Sequence, residues 1–386
     1  DEDGVITGIP GTILEKWSGM SKATDAKSNQ GANNFYRNVL KGSQFIYWMD
    51  HPTTELAVSG SAWGSAAQNT TFKSVLRPIT ISLAGGVSES GLTSGEVRAG
   101  YDLLADAETI DVNLLFMGPH SLADAKYVVQ NIAEVRKDCM VFCSPSMESV
   151  VNNPGQEAAD IIAERDDASF NVSTSYAAMD TGWKLQYDKY NDVDRWVPLN
   201  PDVAGLCART DLTNDPWWSP GGFSRRQIKN VRRLAFKPNK TERDNLYKKG
   251  INSVVSFPGE GVVLWGDKTL QSKPSAFSYI NVRRLFIVLE KAIATAARYQ
   301  LFEFNDAFTR AQFRNMVEPF LRDVQGRRGV TDFRVVCDET NNTPEVIDRA
   351  EFNAEIFIKP NRSINFINLT FTAVRTGVSF DEIAGA

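Results

Sequence analysis

The stretch "IDVNLLFMGPHSLADAKYVVQNIAEVRKDCMVFCSP" (residues 110–145) carries the sign of the fold. "IDVNLLFMG" is a short, nearly continuous apolar run ending in glycine, the pattern of a buried strand. Ser121 stands three residues before Asp124, so its hydroxyl can cap the first turn of a helix. Leu122, Ala125, Val129, Ile132 and Val135 then recur at helical spacing and predict one apolar stripe. "CMVFCSP" (139–145) is a second buried strand. Upstream, "ITISLAGG" (79–86) reads as another strand, and Thr93 with Glu96 forms a capping box for a helix through Leu103 and Leu104. The order β-α-β-α-β implies a largely parallel sheet covered by helices.

Outward from this centre the pattern changes. Residues 1–77 are polar and rich in Ser, Asn, Gly and Thr, with short apolar runs such as "SQFIYWM" and "ELAVSG". They are expected to be strands and loops of an outer β-rich region. After about residue 240 a different unit is expected. "VVSF", Gly259, Gly261 and "VVLWGDKT" suggest a hairpin, and a long helix is predicted over 281–299. "LFEF" (301–304) reads as a short strand. Asn305 or Asp306 can cap a second helix carrying Phe313, Val317, Phe320, Leu321 and Val324, which Pro319 should bend or break. "DFRVVCD" and two terminal strands complete an α+β unit. The expected organisation is an outer remnant (1–77), a middle α/β domain (78–240) and a C-terminal α+β domain (241–386) with terminal antiparallel strands. The 386 residues suffice for such a multi-domain chain. The opening Asp1-Glu2-Asp3-Gly4 reads as the interior of a longer protein.

Composition excludes several function classes. Net charge is −5, against a general nucleic-acid binder, and no apolar run reaches the ~18 residues of a membrane span. Cys139, Cys143, Cys207 and Cys337, with only His51 and His120, give no zinc spacing. Buried, reduced thiols are the expectation. The loop "LAGGVSESGLTSGEV" follows a strand and opens a helix but lacks phosphate-binding glycine spacing, so Gly85 and Gly86 fit a tight turn. "LWGDKT" lacks the glycine before Lys268, and "DKYNDVDRW" does not place its oxygens as a calcium loop does. No catalytic residue, cofactor or metal is expected. A nucleotide-binding α/β enzyme remains as a remote alternative on the Gly85–Gly86 loop alone.

Charge separates along the chain. Residues 138–202 hold 12 Asp/Glu against 4 Lys/Arg, and residues 225–249 hold 10 Lys/Arg against 2 acids. These are either two solvated faces or complementary patches meeting between copies. The basic stretch contains Arg225, Arg226, Lys229, Arg232 and Arg233 beside Trp217 and Trp218, which raises single-stranded nucleic acid as a ligand. Against this, Ile228, Val231, Leu234 and Ala235 predict an apolar helical stripe with its arginines turned outward.

Four long segments, in order, resemble one family: "YDKYNDVDRWVPLNPDVAGLCARTD" (187–211), "INVRRLFIVLEKAI" (280–293), "LFEFNDAFTRAQFR" (301–314) and "FRVVCDETNNTPEVIDRAEFNAEIFIKPNRSINFINLTF" (333–371). They are similar to the tail sheath protein of contractile-tailed bacteriophages of the T-even type. The likeness runs from about residue 78 to 380 and is weaker before. The resemblance implies a non-enzymatic virion subunit, assembled in the host bacterial cytoplasm. Hexameric helical layers of it surround a tail tube, held between baseplate and tail terminator proteins. Contraction drives the tube through the cell envelope, with neither nucleic-acid binding nor stable membrane insertion. The same fold in a type VI secretion or phage-like injection sheath is the alternative. The family also implies terminal arms that add strands to neighbouring subunits. Here the candidates are Ile367, Leu369, Phe371, Ala373, Val374, Val378 and Phe380, with residues from about 373 to 386 as the arm. The competing expectation is that 364–371 closes an internal hairpin on 351–359. Arg225, Arg226, Lys229, Arg232 and Arg233 are candidate contacts to a neighbouring subunit or the tube.

Overall fold

The computed structural model describes residues 1–48, 64–72, 91–225 and 227–365. Two compact units divide the chain near residue 89. In the described part of the first, the regular structure is a one-turn helix α1 (Tyr36–Val39) running into a 3-10 turn, Leu40–Gly42, and isolated bridges Ser21–Phe35 and Lys27–Asn33. Phe35 and Tyr36 are buried, and the Tyr36 ring meets Trp48 edge-on at 4.7 Å. The expected strand at "SQFIYWM" is irregular from Ser43 to Trp48. There Glu15 accepts from Ser43 Oγ (2.5 Å) and Gln44 N (2.9 Å), so its carboxylate, rather than a strand partner, holds the backbone.

The second unit opens with α2 (Ser94–Asp102), which carries the Thr93/Glu96 capping box. The strand β1 (Leu114–Phe116) leads to α3 (Leu122–Val128), capped by Ser121 accepting from Asp124 N. α3 passes through a π turn, Val129–Ala133, into α4 (Glu134–Arg136). The π turn inserts one residue into the helical repeat. The apolar stripe therefore holds through Ala125, Val129 and Ile132, but Ala133 takes the next buried place and Val135 is exposed.

β2 (Met140–Cys143), α5 (Glu157–Asp166) and β3 (Ala177–Asp180) follow. An antiparallel three-stranded sheet then forms from β4 (Trp183–Asp188), β5 (Val193–Pro198) and β6 (Arg233–Leu234), with β4 central. Between β5 and β6 lies α6 (Asn200–Thr213), and after β6 comes α7 (Lys240–Lys248), whose N-cap is Asn239. The helical stripe expected around Ile228 is absent. The segment runs extended because exposed carbonyls on both sides claim its N–H groups: Ile228 donates to Val262 O (2.8 Å), Arg232 to Leu185 O (2.9 Å) and Ala235 to Trp183 O (2.8 Å). Asn230 sits at φ 55°, which no helix accommodates.

β7 (Ile251–Phe257) and β8 (Gly261–Trp265) form the expected hairpin. β7 also pairs parallel to β3, giving a five-stranded sheet of order β1-β2-β3-β7-β8 that runs across residue 240. Alternation along its strands feeds two cores. Val141, Cys143, Ala177 and Met179 join Ala125, Ile132 and Leu246 on one face. Met140, Phe142 and Ala178 join Leu199, Val203 and Leu264 on the other.

α8 (Ile280–Ala297) links this sheet to the last elements. Its Ile280 and Ile287 belong to the second sheet core, whereas Leu285 and Leu289 belong to a third. That third core is built with α9 (Ala307–Gly326), β9 (Val330–Val336) and β10 (Glu355–Pro360), the short α10 (Pro344–Asp348) lying between the two strands in the chain. Asp306 caps α9 through Thr309 N (2.8 Å). The helix continues through Pro319, because buried Phe313, Val317, Leu321 and Val324 hold it on both sides of the residue. "LFEF" is a turn, not a strand: its backbone closes locally, with Phe302 at φ 70°. All four cysteines are buried and unbridged.

Candidate functional site

In an open parallel sheet, ligands bind where the strands' carboxyl ends splay apart. Here that place is filled. Asn200, fully buried at the start of α6, accepts from Gly118 N (2.8 Å) and donates to Gly118 O (2.9 Å), just beyond β1. Its backbone N and Nδ2 both donate to Ser144 Oγ beyond β2 (3.0 and 2.9 Å). Ser144 in turn donates to Asp180 at the end of β3 (2.8 Å), which also accepts from Gly182 N (2.8 Å). Each hydrogen-bonding group here is used by another of the same chain. Burial pushes the Asp180 carboxyl up to about 8, against the lowering effect of the Gly182 and Ser144 donors. The Gly85–Gly86 loop lies outside the described residues. Among the described residues no group of His, Cys, Asp and Glu is placed to hold a metal, and no helix is long and apolar enough to cross a membrane.

The β9–β10 pair is different. It is antiparallel, in register from Glu355 opposite Val336 to Lys359 opposite Asp332, with a bulge before Pro360. Phe333, Val335, Ile356 and Ile358 pack onto the third core, and Phe313 meets Phe352 edge-on at 5.5 Å. The outer face carries Asp332, Arg334, Phe357 and Lys359, with Lys359 bonded across to Asp332 at 3.1 Å. Among the described residues this sheet has two strands only. Each strand therefore has one backbone edge with no strand beside it, a template for strand addition.

Local polar residues hold the pair rigid. Buried Asn342 accepts from Asn353 N and donates to Asn353 O, both at 2.8 Å, so its amide imitates a strand partner. Asn305 donates to Glu351 O (2.8 Å) from the start of α9. Asn342 and Asn353 carry only the family resemblance in the sequence; their spacing gave no signal that they would pair across eleven residues. Asn305, read as a possible helix cap, instead bonds Glu351 while Asp306 makes the cap.

The candidate residues fall unevenly. Ile367, Leu369, Phe371, Ala373, Val374, Val378 and Phe380 lie outside the described residues, as do Arg226 and the side chain of Arg225. The expected hairpin of 364–371 on 351–359 therefore falls outside as well; the described partner of β10 is β9. Lys229 contributes its carbonyl to Lys184 Nζ (3.2 Å). Arg232 pairs with Asp194 at 2.9 Å and lies over the Tyr187 ring, and Arg233 lies over Trp196. Acidic and basic segments thus meet inside one chain at this point, and again where Lys249 pairs with Asp166 (2.5 Å).

Comparison with known proteins gives this arrangement a context. The family model of the phage tail sheath protein central domain matches residues 100–270, and that of the phage tail sheath C-terminal domain matches 272–373. The tail sheath protein of Enterobacteria phage T4 is 47% identical over 319 residues, 79% of this chain. This chain belongs to the phage tail sheath family. The tail sheath protein of Salmonella phage ViI is 36% identical over 382 residues, 98% of the chain. The chain spans about half the length of these sheath relatives, 48% and 56% respectively. The fold also matches a sheath complex of an extracellular contractile injection system in its contracted state. There the TM-score is 0.59 at 22% identity, covering 72% of this chain and 79% of that one. The contracted helical sheath of the anti-feeding prophage matches similarly, with TM-score 0.59 and 19% identity over 74% and 76% of the two chains.

Proposed function

We propose that this chain is a structural subunit of a contractile phage tail sheath, polymerising helically around a tail tube and contracting to drive the tube through the host envelope. The observation that carries the reading is the β9–β10 pair: a rigid two-stranded sheet with open edges in a sheath-family chain. A neighbour's arm added to such an edge keeps subunits linked by backbone hydrogen bonds while the rest of each subunit rotates as a body. Residues of 367–380 are proposed to form that arm. The role is mechanical, with no catalytic step: a difference of about 1–3 kcal/mol per contact between two lattice states becomes large when summed over many subunits. Its place is the virion tail, assembled in the host cytoplasm and contacting tube, baseplate and terminator proteins.

On this reading the chain divides into an outer part, a middle domain and a C-terminal domain, with the middle domain taken to about residue 270 so that β7 and β8 stay with their sheet. A non-phage injection sheath is the second reading. The phage reading is favoured because identity reaches 47% with the phage relative and 22% with the injection-system sheath.

Negative-stain microscopy of the full-length protein tests the proposal. Helical tubes are expected, and removal of 373–386 should leave a folded subunit that forms none. Normal tubes from that truncation would remove the arm from the reading. A wild-type protein that stays monomeric at every concentration would remove the sheath function itself.

A further inference from the structure

The turn joining α8 to α9 is apolar where water reaches it. Tyr299, Leu301, Phe302, Phe304 and Phe308 are all exposed, Phe302 completely. Phe302 also holds a left-handed φ of 70°, a conformation that a bulky residue adopts only when its surroundings impose it. Glu303 stands exposed between the two phenylalanines. The turn is braced from behind, since Asp306 caps α9 and Asn305 is bonded to Glu351. A rigid aromatic knob carrying a carboxylate results.

At the far end of α9 is a hollow of complementary character. A cavity of about 680 Å³ is walled by Trp217, Trp218, Phe223 and Asn281, with Arg328 and Arg362 at its margin. The Arg328 guanidinium stacks over Trp218 at 5.2 Å. Asn281, only 4% exposed, stands in the wall and donates its Nδ2 to Trp217 O (3.4 Å).

Knob and hollow cannot meet within one copy. Asn305 and Asp306 precede the first turn of α9, and Arg328 follows its last. Twenty helical residues hold the two about 30 Å apart at a rise of about 1.5 Å per residue. We infer that the turn 299–306 of one copy docks into the tryptophan–arginine cavity of the next. Phe302 and Phe304 supply the apolar plug, and Glu303 faces Arg362. Different surfaces meet, so the contact is heterologous and propagates from copy to copy, as a helix or a ring, rather than closing as a dimer. The inference rests on the self-assembly proposed above and adds a second, side-chain-built contact to the strand exchange.

The test uses the full-length protein. Glu303→Arg and Arg362→Glu should each weaken self-association about tenfold, and the double reversal should restore it. Both positions are exposed, and unchanged unfolding midpoints would exclude a folding defect. Separately, Phe302→Cys mixed with Arg362→Cys should form a cross-linked pair under mild oxidation. Neither variant alone should match it, nor should Phe302→Cys mixed with Lys189→Cys as a control; the native cysteines are buried and do not compete. Tubes that form normally from Glu303→Arg, with no Phe302–Arg362 cross-link, would overturn this contact and leave the sheath reading standing. Absence of any association by the wild-type protein would overturn both.

Discussion

At the strand ends of the five-stranded sheet, Asn200, Ser144 and Asp180 use up one another's hydrogen bonds. At β9–β10 an equally well-braced piece of backbone keeps its edges open among the described residues. Both lie in the same folded unit. The first region looks like an enzyme's sheet, but its crevice is closed by side chains and has nothing left to offer a ligand. The second has no pocket of its own, but its backbone can take another strand. On the function proposed above, the parallel sheet would supply a rigid body and the small antiparallel pair the joint.

The largest expected effect comes from breaking the closed region. Asn200→Ala would leave part of Ser144's bonding unpaired in a dry interior, together with the half-buried Gly118 N–H and its carbonyl. At about 1–3 kcal/mol for each group stranded, a loss of roughly 3 kcal/mol or more is expected. Chemical denaturation should show it as a lower midpoint of the whole unit. Asn342→Ala strands two backbone groups of Asn353 in the same way, but at the edge of the fold. It should open β9–β10 locally, with hydrogen exchange rising in 330–360 while the five-stranded sheet stays protected. If both variants lower protection equally everywhere, the two regions are not separable and the contrast fails.

Much of this was legible in the chain itself. The β-α-β order, both serine and threonine caps, the hairpin at 251–265 and the alternation of Ile356 and Ile358 follow from local periodicity, which tertiary packing preserved. The misses have a common physical cause. Val135 left its stripe because a π turn added a residue. The segment 227–235 gave up its helical pattern because β4 and β8 offered carbonyls from far along the chain. Asn200 and Asn342 carried no readable motif, because an amide's partner is set by folding and not by spacing. That β10 pairs with β9 was equally hidden, since which strand pairs with which depends on contacts across eighteen intervening residues.

A subtler probe of the closed region is pH. Asp180's folded value, about 8, lies above the unfolded carboxyl near ~3.9, so the native state keeps a proton that the unfolded chain releases. That contribution to stability is complete below about pH 4 and is lost as pH rises through about 8. Asp180→Asn cannot titrate, so its denaturation midpoint should vary less than wild type between pH 5 and 8. At pH 5 the variant is expected to be the less stable of the two, because its amide must face either Ser144 or Gly182 with a donor. A wild-type profile parallel to the variant's would show that Asp180 is ionised throughout.

The smallest effect on stability is expected where acidic and basic segments meet at the surface. Arg232 is about half exposed and pairs with Asp194 in water, a geometry worth about 0–1 kcal/mol. Arg232→Glu should therefore leave the unfolding midpoint nearly unchanged. Its value is as a discriminator: with stability constant, any change in tube formation has to come from contacts between copies. If assembly weakens and the loss shrinks with added salt, Arg232 serves the lattice as well as its own Asp194. If tubes form as before, the charge separation between 138–202 and 225–249 is consumed within the subunit at this point, and joints between subunits are left to the backbone edges and the aromatic turn.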